Sequence, residues 1–273
     1  MVLDVTCPAK LNLFLAVGPK DEVGYHPIRT VFQAIGLLDE VRIEIGREPQ
    51  VSFEGGGIPE NNTVTKALRL LSEFADLPAM AIRIKKIIPL QAGLGGGSAN
   101  AAAVIRAVRH LVPERITETD AFSVAQAVGA DVPYFLVGGR AYAEGYGEKL
   151  QALPDPDPTW AVVVKPPYGY STAEMYAALD LQGYPFKEFR GEFGYNDFER
   201  NACETTDVAE RLGVFGARPF GMTGSGSAVY GLFPSEEAAK TACERAKSEQ
   251  LGDAWSVPLL TRKESLQIRT TEF

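Results

Sequence analysis

Residues 91–113, QAGLGGGSANAAAVIRAVRHLVP, decide how this chain is read. Gly93, Gly95, Gly96 and Gly97 crowd one short run, followed by Ser98 and an Ala-rich segment, 99–111, that stops before Pro113. Alanine and its neighbours there favour helix, and the proline ends it. Dense glycine opens backbone conformations closed to other residues and lets main-chain N–H groups come close to a ligand. A helix start adds unpaired N–H donors and partial positive charge, so the join makes an anion site. A flexible linker is the plainer reading, but a linker would carry polar loop residues on both sides. Here a strand pattern, AIRIKKI (81–87), precedes the glycines and a strong helix follows, which favours a phosphate loop. Ser98 is placed either to cap that helix or to offer its hydroxyl to a phosphate or its metal. The loop lacks the lysine of a Walker sequence and the register of the dinucleotide fingerprint.

Outward from the loop, Val2–Thr6 and Val41–Ile45 alternate, and Leu11–Val17 is apolar up to Gly18, so all three read as strands. TKALRLLSEFADL (65–77) has helical spacing, with Asn61, Asn62 and Thr63 as capping material. Thr117–Val128 predicts a second helix, capped by Thr117 or Thr119 and ended by Gly129. DPDP at 155–158 interrupts all regular structure and suggests two units, 1–154 and 155–273. In the second, Trp160–Lys165, Ala228–Phe233 and a closing Trp255–Leu260 read as strands. Ser171–Leu179, a segment around Val208–Leu212, and Ser235–Ser248 read as helices. There is no internal repeat, and strands and helices mix without strict βαβ alternation, which predicts an α+β fold.

Composition bounds the function. A chain of 273 residues suits one large domain or two modest ones, and 45% hydrophobic with 23% charged residues excludes a disordered tail. Lys and Arg number 27 against 35 Asp and Glu, a net −8, so no general nucleic-acid or anionic-membrane partner is expected. A polyanionic ligand then needs a local site that overrides the global sign. Three cysteines and two histidines are too few and too scattered for a structural zinc site or a disulfide framework, and suit reduced thiols in a cytoplasm. MVLDVTCPAKLN shows no secretory signal, and no stretch approaches the apolar length of a membrane span. A cytoplasmic protein is expected.

The segment PLQAGLGGGSANAAA (89–103) resembles the phosphate loop P-x-G-A-G-L-G-G-G-S-S-[DN]-A-A of the GHMP kinase superfamily. PAKLNLFL (8–15), GYHPIRTVFQ (24–33), GADVPYFLVGG (129–139), KPPYGYSTAEMYAALD (165–180) and MTGSGSAVYGLF (222–233) resemble, in order, the branch acting on a cytidine diphosphate derivative of methylerythritol. The resemblance covers nearly the whole chain. It implies a two-domain α+β GHMP kinase fold with the active site in the cleft between domains. It also implies ATP with Mg2+, and phosphorylation of the substrate's 2-hydroxyl in the non-mevalonate isoprenoid route. Ala99 departs from the usual second serine and Thr223 from a common serine, but the loop works mainly through backbone N–H groups. Gly93, Leu94, Gly95, Gly96, Gly97 and Ser98 are the implied phosphate holders. Asn62 and Lys86 match positions near adenine.

Lys10 lies in the apolar run CPAKLNL. Burying an ammonium is costly, so such a lysine pairs with a carboxylate, meets an anion, or snorkels at a strand edge. Asp131 follows a glycine helix stop and precedes VPYFLVGG, read as strand-like; capping a helix is its plainer role. Phosphoryl transfer to an alcohol needs a carboxylate to take the hydroxyl proton and cations to spread the charge on the moving group. The resemblance implies that Asp131 is the base and Lys10 its partner. Asn12, on the same strand face as Lys10, is a candidate to bond the acceptor.

Tyr25 and His26 sit after a turn at Gly24. An aromatic face beside an edge donor and acceptor suits a pyrimidine, although a lone histidine is commonly structural. By resemblance Tyr25 and His26 hold the cytosine end, Tyr176 stacks on its other face, and Thr172 lies near the acceptor. Ile28 and Phe32 would line an apolar patch by the methylerythritol carbons, and both equally fit plain core. Gly224 and Ser225, in TGSGS (223–227), would pack beside the phosphate loop and diphosphate; a tight turn is the plainer reading. No dedicated metal ligands are expected, Mg2+ arriving with ATP and Ser98 being its one candidate. A nucleotide-binding protein without catalysis is a second reading, opposed by the intact Lys10, Asp131 and glycine loop. A different GHMP kinase is a third, opposed by the GYH loop. A monomer or weak homodimer is expected.

Overall fold

The computed structural model describes residues 1–54, 62–181 and 184–272. In chain order the first half holds β1 (Val2–Val17), β2 (Ile28–Ile45), β3 (Gln50–Glu54), α1 (Thr63–Leu71), β4 (Met80–Lys85), α2 (Gly96–Leu111), α3 (Glu118–Val128), α4 (Tyr134–Val137), β5 (Arg140–Glu144) and β6 (Lys149–Ala152). Next come β7 (Trp160–Lys165), α5 (Thr172–Asp180), β8 (Tyr195–Asn196), a 3-10 turn (Asp197–Asn201), α6 (Cys203–Val214), β9 (Phe220–Met222) and β10 (Val229–Phe233). The chain ends in α7 (Glu236–Ser248), β11 (Asp253–Pro258), α8 (Arg262–Ser265) and β12 (Ile268–Thr271).

Two long antiparallel strands dominate. β1 pairs with β2 from Val2↔Glu44 to Val17↔Ile28, and the sheet order runs β12-β1-β2-β4-β3, with β5 and β8 added at the far ends of β2 and β1. The two short strand patterns in residues 2–17 are thus one strand. The break between them is Pro8, which sits beside a register shift at Pro8/Ala9, and a bulge is where a strand interior accepts proline. The second sheet, β11-β7-β10-β9, is antiparallel throughout.

The apolar residues form three cores. Leu3, Val5 and Ile43 pack against α2 and α3, through Ala101, Val104, Ile105 and Val124. Leu11, Leu13, Val31 and Ile35 of the first sheet meet Ala161, Val163, Tyr230 and Val257 of the second. On the second sheet's other face, Val162, Val164 and Val229 pack on Leu212, Ala239 and Ala242. β7 therefore alternates between two cores, which is why WAVVVK carries no polar position between its ends. The result is four layers, helices on sheet on sheet on helices, as the α+β reading expected.

Caps follow the sequence closely. Asn62 caps α1, Thr117 closes a capping box on α3, and Ser171 and Ser235 cap α5 and α7; Asn61 lies outside the described residues. The closing strand reading needs correction, because β12 follows β11 and returns to β1. We propose residues 154 and 155 as the divide between the two units; β8 and β12, beyond it, pair in the first sheet.

Candidate active site

A cleft of about 950 Å³ opens where the glycine loop, β1, the 18–27 loop and α5 converge. Its walls hold Lys10, Asn12, Tyr25, His26, Ile28, Phe32, Gly93, Gly95, Ser98, Asp131, Thr172, Tyr176, Gly224 and Ser225, whereas Leu94, Gly96, Gly97, Asn62 and Lys86 are not part of this lining.

Two bulges aim Lys10 into this cleft. Up to Cys7 the odd-numbered side chains of β1 face the helix layer, whereas Ala9, Leu11 and Leu13 face the other sheet. The side chains change face at the register shift between Pro8 and Ala9, where β2 carries two extra residues, Gly36 and Leu37, and change back at a second shift between Asn12 and Phe14, where β1 carries one, Leu13. The one-residue slip at the second shift sends the following side chains of β1 to the opposite face. Between the shifts, Lys10 and Asn12 therefore point toward the helices and the glycine loop. Lys10 is buried, not snorkelling: its side chain is 4% exposed, its Nζ lies 3.5 Å from Asp131 Oδ2 and it donates to Asn12 Oδ1 at 2.5 Å. Burial pulls the Lys10 ammonium below the ordinary lysine range, and the Asp131 carboxylate opposes part of that shift.

Asp131 occupies the turn between α3 and α4 and is one-third exposed. The strand-like reading of VPYFLVGG is corrected, since Tyr134–Val137 is a helical turn. Pro133 starts it with φ −56°, an angle proline holds anyway, and four apolar residues carry no period that separates helix from strand.

Gly95 caps α2 in the left-handed region at φ +73°, with no side-chain hydrogen bond to the first-turn amides. Ser98 is therefore not the cap; it lies in the first turn on the cleft wall. The first-turn amides are left without a side-chain cap at the helix's positive end, a geometry suited to an anion. The loop is tied to its surroundings: Lys10 N donates to Leu94 O at 3.0 Å and Ala228 N to Ala92 O at 3.3 Å. Asn12 N donates to the Thr223 hydroxyl at 2.9 Å, and Asn12 Nδ2 to Thr30 Oγ1 at 2.8 Å. TGSGS is a tight turn pressed on the loop, and Ser225 shares a hydrogen bond with Thr172 at 2.9 Å.

Asn62 and Lys86 stand apart from the cleft lining. Asn62 Oδ1 accepts from Val64 N and Thr65 N as the cap of α1. Lys86 lies against Gly96, with its Nζ 3.2 Å from where a Cβ there would fall. Its ammonium pairs with buried Asp39, which also accepts from Asn100 Nδ2 at 2.8 Å and from Ile87 N and Ile88 N at 2.7 and 2.8 Å. Asp39 was missed in the sequence; an aspartate just before the alternating segment Val41–Ile45 looks like an exposed position.

At the other end, His26 and Tyr176 stack on one another, ring centroids 4.9 Å apart at 28°. That is contact distance for the pair itself, so a base stacked on Tyr176 would need Tyr25, 63% exposed, as its second wall rather than His26. Burial pushes the Tyr176 hydroxyl up to about 12, with the Asp131 charge adding to the shift, so it stays a donor. Tyr146, Tyr170, Gln91 and Asp180 also line the cleft and carried no signal beyond being polar or aromatic near a turn. No group of three or more His, Cys, Asp or Glu able to hold a metal occurs among the described residues.

Comparison with known proteins places this geometry. Residues 62–139 match the family model "GHMP kinases N terminal domain", and residues 204–251 match "GHMP kinases C terminal". The 4-diphosphocytidyl-2-C-methyl-D-erythritol kinase of Methylococcus capsulatus is 37% identical over 253 residues, covering 89% of this chain and 87% of the relative. That of Citrifermentans bemidjiense is 36% identical over 266 residues, covering 90% and 95%. A crystal structure of 4-(cytidine 5'-diphospho)-2C-methyl-D-erythritol kinase superposes with a TM-score of 0.80 at 35% identity, over 93% of this chain and 98% of that one. Homoserine kinase from Cytophaga hutchinsonii shares the fold, with a TM-score of 0.72 at 19% identity over 98% and 97%.

Proposed function

The chain belongs to the 4-diphosphocytidyl-2-C-methyl-D-erythritol kinases of the GHMP kinase superfamily, and we propose that it transfers the γ-phosphoryl group of ATP to the 2-hydroxyl of that cytidyl alcohol. One observation carries the reading: an ammonium and a carboxylate, Lys10 and Asp131, meet 3.5 Å apart on the wall of a cleft that Gly93, Gly95 and Ser98 also line. The acceptor oxygen forms a bond to the γ-phosphorus as the bond to the β–γ bridging oxygen breaks, ADP leaves, and Asp131 takes the hydroxyl proton. Lys10 pairs with Asp131 and offers positive charge to the phosphoryl group in transfer. The glycine loop's amides hold the phosphates without needing a side chain.

Magnesium accompanies ATP in this reading and supplies charge neutralisation on its phosphates. The residues present fit that arrangement, with the Ser98 hydroxyl on the cleft wall. Tyr25, His26 and Tyr176 take the cytidyl end, Thr172 the acceptor region, and Ile28 and Phe32 its apolar carbons. Gly224 and Ser225 face the diphosphate. Asn62 and Lys86, flanking the start of α2, sit on the adenine side of the same loop. No helix among the described residues is long and apolar enough to cross a membrane. A cytoplasmic monomer or weak homodimer belongs to the same proposal.

A coupled ADP-release assay tests it. Turnover on the cytidyl substrate is expected, falling by about 10²–10⁴ in Asp131→Asn, the usual contribution of a general base. Equal turnover of mevalonate or homoserine would overturn the assignment.

A further inference from the structure

The 18–27 loop contains a histidine gripped from three directions. His26 Nδ1 lies 2.9 Å from the Gly18 carbonyl oxygen, and His26 Nε2 lies 3.4 Å from Asp180 Oδ1. The face of the ring rests on Tyr176 at 4.9 Å. Tyr176 and Asp180 are four residues apart on α5, so one helix face presents both the aromatic surface and the carboxylate. Gly18 is fixed in turn, its N–H donating to Pro27 O at 2.6 Å while Val17 N donates to buried Asp197 at 2.9 Å. The His26 side chain is 8% exposed, so it has no freedom to turn a different edge outward.

Asp180 is the last residue of α5. A carboxylate there meets the negative end of the helix dipole, where a cation is the favoured charge. Its position is poor for the helix and good for the imidazole. Asp180 also lines the cleft, yet lies at the far end of α5 from Thr172 and has no place among the reacting groups.

We propose that Asp180 is a positioning residue for the cytidyl end of the substrate: its carboxylate fixes the His26 imidazole against Tyr176 and thereby sets the shape and polarity the pyrimidine meets. This rests on the reading that the 18–27 loop takes the cytidyl group. Asp180 acts through His26, so losing either should remove the same contribution. Loss of a polar contact that holds a binding side chain in place shifts binding by about 10-fold.

Kinetics and spectroscopy test the proposal separately. Asp180→Ala and His26→Ala should each raise KM for the cytidyl substrate about 10-fold, with KM for ATP unmoved, and the double variant should be no worse than His26→Ala alone. Additive effects would mean that Asp180 touches the substrate directly, and would overturn the proposal. The chain has two histidines, His26 and an exposed His110, so its imidazole nitrogen resonances are assignable from His26→Ala alone. In the substrate-free protein, Asp180→Asn should move the His26 resonances and leave those of His110 in place; unmoved His26 resonances would overturn it. That readout needs no turnover. A wild-type protein inert on the cytidyl substrate refutes the functional reading, while the resonances still decide whether Asp180 holds His26.

Discussion

Gly93 and Thr223 touch so closely that a Cβ on residue 93 would lie 2.1 Å from the Thr223 carbonyl oxygen. Gly224 returns the contact, its own Cβ position falling 3.0 Å from Gly93 Cα. The glycine loop and the TGSGS turn are therefore one packed unit, built from segments far apart in sequence. Gly93 also has φ +71°, a left-handed conformation that costs an L-residue roughly 1–2 kcal/mol before any clash.

Gly93→Ala is expected to lose more than that conformational cost and most of its kinase activity. Gly97→Ala is the control. A Cβ there meets nothing nearer than Thr63 Oγ1 at 3.7 Å, and alanine inside a helix gains roughly 0.5–1 kcal/mol over glycine. Urea denaturation of both variants checks the contrast; equal losses would show that the Thr223 contact is not what makes Gly93 necessary.

Lys10→Met should abolish turnover yet raise thermal stability. The buried ammonium is held below its ordinary range chiefly by desolvation, so folding works against the charged form. Asp131 is one-third exposed, and water replaces its lost partner. The melting midpoint should rise by about 2–4 °C for each kcal/mol of burial cost removed. Below the depressed folded pKa the wild type carries that cost in full. It fades as pH climbs toward 10.5, the value lysine has when exposed, because there the unfolded state binds the extra proton. Melting curves at neutral pH and near pH 10 should show the gap narrowing. A variant less stable than wild type at pH 7 refutes the argument.

How much of this was legible beforehand differs by residue, for physical reasons. The glycine loop announced itself because its chemistry is local: the glycines and the helix start all lie within a few residues. The face that Lys10 occupies was not legible, since two register shifts between β1 and β2, at Pro8/Ala9 and Asn12/Phe14, decide it, and a bulge depends on the partner strand. VPYFLVGG misled because four helical residues show no periodicity. The grip of Asp180 on His26 and of Asp39 on Lys86 joins separate elements through side chains, which no spacing rule reaches.

Asp39→Asn tests the brace beneath the loop. Asp39 is 2% exposed and accepts from Asn100, Ile87 N and Ile88 N besides pairing with Lys86. Removing one partner of a buried ion pair strands the other charge and costs roughly 3–5 kcal/mol. Lys86 abuts Gly96 at the start of α2, so KM for ATP should rise while KM for the cytidyl substrate holds. Denaturation midpoints and the two KM values check both halves; a loss confined to the cytidyl KM refutes the placement.

Glu199 gives the stability a slope with pH. Its carboxyl is half-buried, accepts a hydrogen bond from Met222 N at 2.6 Å and has no basic partner among the described residues; burial pushes its pKa from 4.5 up to about 7. The folded state therefore holds a proton that the unfolded chain has released between those two values, so stability falls as pH rises through that window and is lowest above it. At about 1.4 kcal/mol per pKa unit the full effect is on the order of 3 kcal/mol. Glu199→Gln keeps an acceptor for Met222 N without the charge. It should exceed the wild type by roughly 1–3 kcal/mol at pH 8 and match it by about pH 4. Urea titrations of both proteins across that range check it, and a stability difference that stays constant with pH would exclude Glu199 as the titrating group.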